Sequence, residues 1–271
     1  MEHYLWLIPL GFVIGTIGTL IGAGGGFILA PILLLVYPNN NPETITSISL
    51  AVVFVNASSG SWSYARMARI DYKSGLLFAV ATLPGAVLGA LSTGSIPRHA
   101  FNVMLGALMI MAAIYLNFHR NGRKSSGQGE KGLYTREIIE KNGTVHSFSY
   151  NRKIGMGLSL VVGYISSLLG IGGGIIHVPA LVRLLNFPVH IATATSHFVL
   201  AIMALTSTIV HIASGSFAQG GVHRTICLAI GVLIGAQVGA AFSTRIHGKW
   251  IIRGLAIALG LVGIRILIMA F

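Results

Sequence analysis

One glycine-broken apolar segment occurs twice in this chain, and it constrains the fold more than any other feature. Residues 15–33, GTIGTLIGAGGGFILAPIL, and residues 163–181, GYISSLLGIGGGIIHVPAL, are identical at ten of nineteen positions. Composition bias alone would match about two positions. The chain is therefore two copies of one unit, and each copy interrupts an apolar stretch with three consecutive glycines. In a membrane, a helix broken in this way is usually broken for a ligand.

Long runs without Asp, Glu, Lys or Arg identify the class of protein. A spanning helix needs about 20 mostly apolar residues, and a buried helix of a soluble protein would carry a charged face instead. The number of runs excludes a signal peptide followed by a soluble domain. The sequence therefore predicts an all-α polytopic membrane protein. The runs are residues 3–42, 44–65, 74–97, 99–119, 154–182, 184–223 and 225–244.

The net charge of +12 could suggest a nucleic-acid partner, but its distribution indicates a lipid bilayer instead. Eight of the eighteen basic residues lie in residues 119–153, and most others lie at the ends of apolar segments. Positive-inside orientation explains that pattern, so we expect no nucleic-acid partner. The single cysteine, Cys227, provides no disulfide framework and no metal cluster.

The chain divides into an N-terminal membrane repeat, residues 1–118, and a C-terminal membrane repeat, residues 154–271. Each repeat holds one glycine-broken segment followed by three ordinary ones. The predicted segments are 4–37, 44–66, 74–95 and 99–118, then 154–187, 190–213, 222–244 and 250–270. Residues 119–153 are polar and basic and are predicted to be a cytoplasmic loop. The Asn-Gly-Thr at 142–144 matches a glycosylation acceptor, which on a cytoplasmic loop is a chance match.

Charge also predicts that the two repeats have opposite orientations. If each glycine-broken segment is a hairpin that returns to its starting side, fifteen of eighteen basic residues lie on the cytoplasmic side. If each crosses once, the basic cluster Arg245–Arg253 lies outside, against the positive-inside rule. The prediction is therefore two inverted-topology repeats with both termini outside. Next to the cytoplasmic face, Asp71 is expected to pair locally with Arg66, Arg69 or Lys73.

About 34 residues cannot make two full crossings of ~17 residues each, so the two hairpins should be re-entrant. They would bring Gly24, Gly25 and Gly26 close to Gly172, Gly173 and Gly174 near the midplane. Backbone N–H groups at the start of each following half-helix would then form an anion site without a charged side chain. The alternative is that the glycines serve only the close packing of helices.

Polar side chains in and after each hairpin could complete such a site. Ser49 aligns with Ser196 at an offset of 147, Asn56 lies further along the first repeat, and His177 and His197 are intramembrane histidines. Hydroxyl, amide and imidazole groups can donate to an oxyanion. The alternatives are hydroxyls that bond their own backbone and histidines that are neutral packing residues. No carboxylate lies within a predicted span, since Glu43 and Asp71 are at segment ends, and this favours an anionic substrate.

Catalytic and cofactor chemistry lack support in the sequence. No ligand-type residues show metal-site spacing, and no phosphate-binding P-loop occurs, so we expect neither a metal nor another cofactor. No Gly-x-Ser-x-Gly motif occurs. An intramembrane serine hydrolase is therefore a weaker interpretation than a protein that is not an enzyme.

The combined motifs resemble the TauE/SafE sulfite exporter family, also called the toluene sulfonate uptake permease family. They are the duplicated G-x-x-G-x-G-G-G-x-x-x-x-P, the Thr-Ser turns that follow, Ile70-Asp71-Tyr72, and the Gly-Ala-x-x-Gly-Ala at 85–90 and 235–240. The resemblance implies an inner-membrane transporter of sulfite or of sulfonates such as sulfoacetate. Our reading is a secondary transporter that works by alternating access, and the alternative is a passive anion channel. The choice of sulfur anion, the direction, the coupling ion and the oligomeric state stay open.

Overall fold

The computed structural model describes residues 4–118, 133–217, 220–243 and 248–270. Five helices in these ranges are long and apolar enough to cross a membrane, namely α3, α4, α8, α9 and residues 98–115 of α5. The chain is therefore a multi-pass membrane protein. In chain order the elements are α1 (Leu7–Ile21), α2 (Gly26–Val36), α3 (Pro42–Arg66), α4 (Tyr72–Thr93), α5 (Arg98–Phe118), β1 (Tyr134–Ile139), β2 (Val145–Tyr150), α6 (Arg152–Leu169), α7 (Gly174–Leu184), α8 (Val189–Ala213), α9 (Gly221–Ser243) and α10 (Gly248–Ala270).

Each duplicated segment is a pair of helices separated by a glycine turn. The helix α1 ends at Gly22, which has a left-handed φ of 85°, and α2 begins after Gly25, with a φ of 80°. The helix α6 ends at Gly170, with a φ of 69°, and α7 begins after Gly173, with a φ of 68°. Glycine adopts this backbone conformation without a steric penalty. The break in each apolar segment is thus encoded locally by its glycines.

Helices of one half pack along helices of the other half, with backbones in close contact. A Cβ on Gly15 of α1 would lie 2.7 Å from Cα of Val232 in α9, and one on Gly235 of α9 would lie 3.0 Å from N of Thr16 in α1. The same arrangement joins α6 to α4, where a Cβ on Gly85 would lie 2.8 Å from N of Tyr164. The helices α3 and α8 pack together between these pairs, and α5 packs with α10.

Both ends of each helix pair lie at the same end of the molecule. The guanidinium of Arg224 lies 5.7 Å from the ring centroid of Tyr4, just before α1, and 3.6 Å from that of Tyr37, just after α2. At the opposite end, the rings of Tyr150, before α6, and Phe187, after α7, are 5.2 Å apart. Each pair therefore enters and leaves on one side, as a hairpin does.

The structure corrects the prediction that residues 119–153 are wholly a loop, because β1 and β2 form an antiparallel hairpin. Its turn contains Gly143 with a φ of 84°. An Asn-Gly pair between alternating apolar residues is a strong hairpin signal, and we read it in the sequence only as a glycosylation match. The part of the predicted loop at 119–132 lies outside the described residues.

This β-hairpin docks on the connection between α3 and α4 through two ion pairs that are buried or partly buried. Arg136 bonds Asp71 at 2.7 Å, and Arg69 bonds Glu140 at 2.8 Å. The prediction that Asp71 pairs locally is therefore wrong. Arg136 of β1 lies against the start of α4 and pairs with Asp71, and Arg69 pairs with Glu140 instead. Burial alone would raise the pKa of the Glu140 carboxyl. Hydrogen bonds from Arg69 and His146 outweigh this effect, so the pKa is lowered.

Candidate functional site

The two glycine turns touch each other through their backbones. A Cβ on Gly26 would lie 2.8 Å from O of Gly170, and one on Gly174 would lie 2.6 Å from Cα of Ala23. Only glycine at these positions allows so close an approach. The tertiary structure thus brings Gly24–Gly26 together with Gly172–Gly174, and both turns are buried.

Each glycine turn leads directly into a helix, and the first backbone N–H groups of that helix come before its first intrahelical hydrogen bonds. Ile28 and Leu29 donate to O of Gly25 at 3.1 and 3.0 Å, and Ile176 and His177 donate to O of Gly173 at 3.0 and 2.9 Å. Neither helix start has a side-chain cap. A helix N-terminus without a capping side chain presents N–H donors and the positive end of the helix dipole. Two such ends at adjoining turns suit an anion.

Apolar side chains from the middle of α3 and α8 lie against the turns. A Cβ on Gly24 would lie 2.7 Å from Cδ2 of Leu200 and 3.1 Å from Cγ1 of Val53, and one on Gly172 would lie 2.9 Å from Val53. Val53 and Leu200 belong to one buried cluster. These two neighbours could not be predicted from the sequence, since apolar residues in a membrane-spanning segment carry no individual signal.

The predicted hydroxyls of Ser49 and Ser196 bind carbonyl groups at the ends of the first half-helices. Ser49 Oγ donates to O of Gly170 at 2.6 Å, and Ser196 Oγ donates to O of Gly22 at 3.5 Å. Each serine belongs to one half of the chain and bonds the turn of the other half. In this conformation the two hydroxyls therefore hold the turns in register.

Asn56 and His197 meet in a buried polar cluster with Thr19 and Tyr64, two residues that were not among the predicted site residues. Thr19 Oγ1 donates to Oδ1 of Asn56 at 3.1 Å and lies 3.4 Å from Nε2 of His197. Tyr64 donates to O of Thr19 at 2.8 Å, and its ring meets His197 edge-on at 5.6 Å. Among the described residues, the amide nitrogen of Asn56 has no hydrogen-bond partner. One signal for Thr19 was available, because it aligns with a second hydroxyl, Ser167, in the duplicated segment.

His177 lies apart from that cluster. Its Nε2 is 3.3 Å from Oγ of Ser159, and its ring meets Phe78 edge-on at 5.9 Å. None of these contacts is shared with Asn56 or His197. The structure therefore brings together two of the predicted side chains and places this histidine elsewhere. In the described ranges, no three His, Cys, Asp or Glu side chains form a group that could hold a metal ion.

Comparisons with known proteins agree over nearly the whole chain. The family model described as Sulfite exporter TauE/SafE matches residues 7–266. The probable membrane transporter protein YunE of Bacillus subtilis (strain 168) is 30% identical over 272 residues, which cover 97% of each chain. A probable membrane transporter protein of Methanocaldococcus jannaschii is 24% identical, over 98% of this chain and 97% of the relative. No solved structure matches the chain significantly.

Proposed function

Because this chain belongs to the TauE/SafE sulfite exporter family and is a membrane transporter rather than an enzyme, we propose that it is a secondary transporter of sulfur-containing oxyanions. The substrates are sulfite or organosulfonates such as sulfoacetate. The observation that carries the proposal is the meeting of two buried glycine turns, each of which opens a helix with uncapped N–H donors.

Alternating access is proposed around two inverted repeats in the inner membrane. Two observations support a two-fold axis in the membrane plane. The first helix of each pair packs along a helix of the other half, α1 along α9 and α6 along α4. Each helix pair also returns to the end of the molecule at which it begins. The end with the β-hairpin is placed in the cytoplasm, with both termini outside. Positive-inside orientation supports this, because described basic residues gather there. They are Arg66, Arg69, Lys73, Arg136, Lys141, Arg152 and Lys153.

The substrate's oxygen atoms would accept hydrogen bonds from N–H groups at the starts of α2 and α7 and from the amide of Asn56. The N–H of Gly174 would first have to leave O of Gly172, to which it donates at 2.8 Å. His197 would have to release Thr19, which faces its Nε2 and gives its own hydroxyl proton to Asn56. Ser49 and Ser196 would join them after releasing the carbonyls that they now bond. Apart from Glu43 at one end, α3 and α8 contain no carboxylate, which supports an anionic substrate because a buried carboxylate would repel it.

Burial favours a transporter over a passive channel. The side chains proposed to bind substrate are at most 1% exposed, so the site is closed to both sides in this conformation. A continuously open pore would expose them to water. An alternating-access protein passes through such a closed state between its two open states.

The test has two stages. Thermal-shift screening of the purified protein against sulfite, sulfate, thiosulfate and sulfoacetate identifies the ligand, because a ligand that binds only the folded state raises the Tm. Counterflow in proteoliposomes then measures transport of that ligand. We expect Gly25→Val and Gly173→Val to abolish counterflow while the protein still inserts, and Gly157→Ala, where a Cβ meets nothing within 4 Å, to leave it unchanged.

Unchanged transport in both valine variants would overturn the site assignment. A flux that never accumulates the anion against its gradient would replace the transporter with a channel. Stabilisation by none of the sulfur oxyanions, together with no counterflow, would overturn the substrate class.

A further inference from the structure

A buried arginine lies at the end of the molecule opposite the β-hairpin, and it differs from the buried arginine at the other end in having no ion pair. Arg224, in the first turn of α9, is 7% exposed, as is Arg69. Arg69 bonds the carboxylate of Glu140, whereas Nε and Nη1 of Arg224 have no hydrogen-bond partner among the described residues. A buried charge is costly unless it is paired and hydrogen-bonded. The guanidinium of Arg224 is therefore suited to an anionic partner.

The carboxylates of the described residues are not that partner. Three of the four belong to the start of α4 and to the β-hairpin, at the opposite end of the molecule. The fourth, Glu43, accepts a hydrogen bond from Ser216 Oγ at 2.6 Å, and this hydroxyl lies 3.3 Å from Nδ1 of His211. Within the described ranges, no ion pair joins Arg224 to any of the four. The partner that fits is therefore an anion from solution.

Two tyrosine rings at the ends of the first helix pair flank this guanidinium. Its Cζ lies 3.6 Å from the ring centroid of Tyr37, just after α2, and 5.7 Å from that of Tyr4, just before α1. The face of a ring attracts a cation, but it offers no acceptor to N–H groups in the guanidinium plane. Both tyrosines are only partly buried. The turn after α2 also holds a second buried donor, Nδ2 of Asn40, that has no partner among the described residues.

Arg224 faces the interior of the molecule rather than the lipid. Val222 and Ile226 lie on the opposite face of α9 and are 51% and 53% exposed. Leu228, one turn after Arg224 on the same face, packs against the backbone of Gly11 in α1. A lipid phosphate would approach α9 from its exposed face. A small oxyanion that enters from the solution therefore fits this position better than a lipid headgroup.

The equivalent position at the other end of the molecule has no cation. At the offset of 150 that aligns the Gly-Ala-x-x-Gly-Ala motifs of α4 and α9, Ser74 takes the place of Arg224. Ser74 Oγ donates to Asp71 and accepts from the hydroxyl of Tyr150 at 2.6 Å. The two-fold relation therefore does not require an arginine here. Positive-inside orientation also disfavours one, and the other arginine at this end, Arg98, bonds backbone carbonyls instead.

We propose that Arg224, flanked by Tyr4 and Tyr37, is an outer binding site for a sulfur oxyanion, separate from the site at the glycine turns. The inference rests on the proposed function for the identity of the anion. An edge of a guanidinium presents two parallel N–H groups, which fit two oxygens of a sulfite or sulfonate group. The site collects the anion at the open end of the α1–α2 pair. It thereby raises the local concentration of the anion on the outer side.

The test uses a background in which the central site is disabled. Purified Gly25→Val in non-ionic detergent, at low ionic strength, is titrated calorimetrically with sulfite and with sulfoacetate. We expect this variant to bind the anion, and added Arg224→Gln to lower the affinity about 10-fold or more. Added Arg224→Lys keeps the charge but lacks the fork of N–H groups, so it should also lower the affinity. Arg66→Gln is the matched control, because Arg66 lies over the ring of Trp62 but is exposed and at the other end. It should bind as the background does.

A second readout is counterflow by the otherwise wild-type protein. Arg224→Gln should raise the anion concentration that gives the half-maximal rate by about 10-fold and leave the maximal rate unchanged, because the central site is intact. A role of Arg224 in packing alone would instead lower the Tm and the maximal rate without a change in that concentration, and this result would overturn the outer site.

Three results of the titrations would also overturn it. The first is an affinity within about twofold of the background in Arg224→Gln or in Arg224→Lys. The second is displacement of the bound anion by an equal concentration of a short-chain phosphatidylglycerol, which would assign the position to a lipid headgroup. The third is binding that appears only after Glu2→Gln, since Glu2, two residues before Tyr4, would then be the partner of Arg224. Binding that depends on Arg224, together with no counterflow in the wild type, would instead overturn the proposed function.

Discussion

The contact between the two glycine turns makes a specific prediction for Gly26→Ala. A Cβ at this helical position would lie 2.8 Å from O of Gly170, 2.8 Å from Cγ2 of Val53 and 2.9 Å from C of Ile171. Ordinary van der Waals contact begins at 3.4 Å, so the methyl group is too close by about 0.6 Å. Two of the three neighbouring atoms are backbone, and rotation of a side chain cannot remove them. The turns must therefore move apart.

The expected cost follows from two opposing effects. Overpacking of this kind costs about 1–3 kcal/mol, and replacing glycine by alanine in a helix gains back about 0.5–1 kcal/mol. The net loss of folding stability should therefore be about 2.5 kcal/mol or less. Transport should suffer more, because a displacement approaching 1 Å in a binding site can reduce a rate by about 100-fold. We expect counterflow to fall by about 10- to 100-fold while the folded protein remains abundant.

The assay is the initial rate of counterflow at equal reconstituted protein, with Tm measured on the same preparations. Gly157→Ala is the matched control, since Gly157 lies in α6 and a Cβ there meets nothing within 4 Å. This control should have an unchanged rate and a stability equal to or above that of the wild type. A rate for Gly26→Ala within about twofold of the wild type would refute the reasoning, because the contact of the turns would then have no part in transport.

Three further predictions concern the β-hairpin, the helix interfaces and the buried polar cluster. The pKa of Glu140 is lowered in the folded protein, so its contribution to hairpin docking is present above its ordinary pKa of about 4.5 and is lost as the pH falls through the folded value. The hydrogen-exchange protection factors of residues 134–150, corrected for the intrinsic exchange rate at each pH, should therefore fall below about pH 4.5, and Glu140→Gln should reduce that fall. Gly235→Leu should lower the Tm strongly by separating α9 from α1, where a Cβ would lie 3.0 Å from C of Phe12, and a Tm equal to that of the wild type would contradict the packing described. Asn56→Ala should weaken anion binding by about 10-fold in calorimetry, and an unchanged Kd would remove Asn56 from the site.

Much of the architecture was predictable because its causes are local. Apolar runs of spanning length, glycines that permit a left-handed φ, and basic residues at segment ends are all visible in the sequence. The observed helices begin and end within a few residues of the predicted segments. The β-hairpin was missed because the basic composition of its region was weighed above the Asn-Gly turn at its centre.

The candidate site was predictable in part. The glycine turns were identified because they are duplicated, and their contact followed from the hairpin geometry. Tyr64 was not predictable, because one tyrosine in an apolar segment has no distinctive pattern, whereas Thr19 could have been found from the hydroxyl of Ser167 at the same place in the second copy. His177 was grouped with His197 because it follows a glycine turn by three residues, but its side chain packs against Phe78 instead.

The sequence by itself determined that this chain lies in a membrane, that it is built from a duplicated unit, and where each unit breaks. Those properties depend on transfer of apolar segments into lipid and on backbone conformations available to glycine, both of which are set by neighbouring residues. Only the tertiary structure decided that Ser49 bonds Gly170, that Asp71 pairs with Arg136, and that Glu43 reaches His211 through Ser216. These partners are far apart in the chain or lie on different elements. Their pairing depends on how the helices dock, which no local pattern of residues specifies.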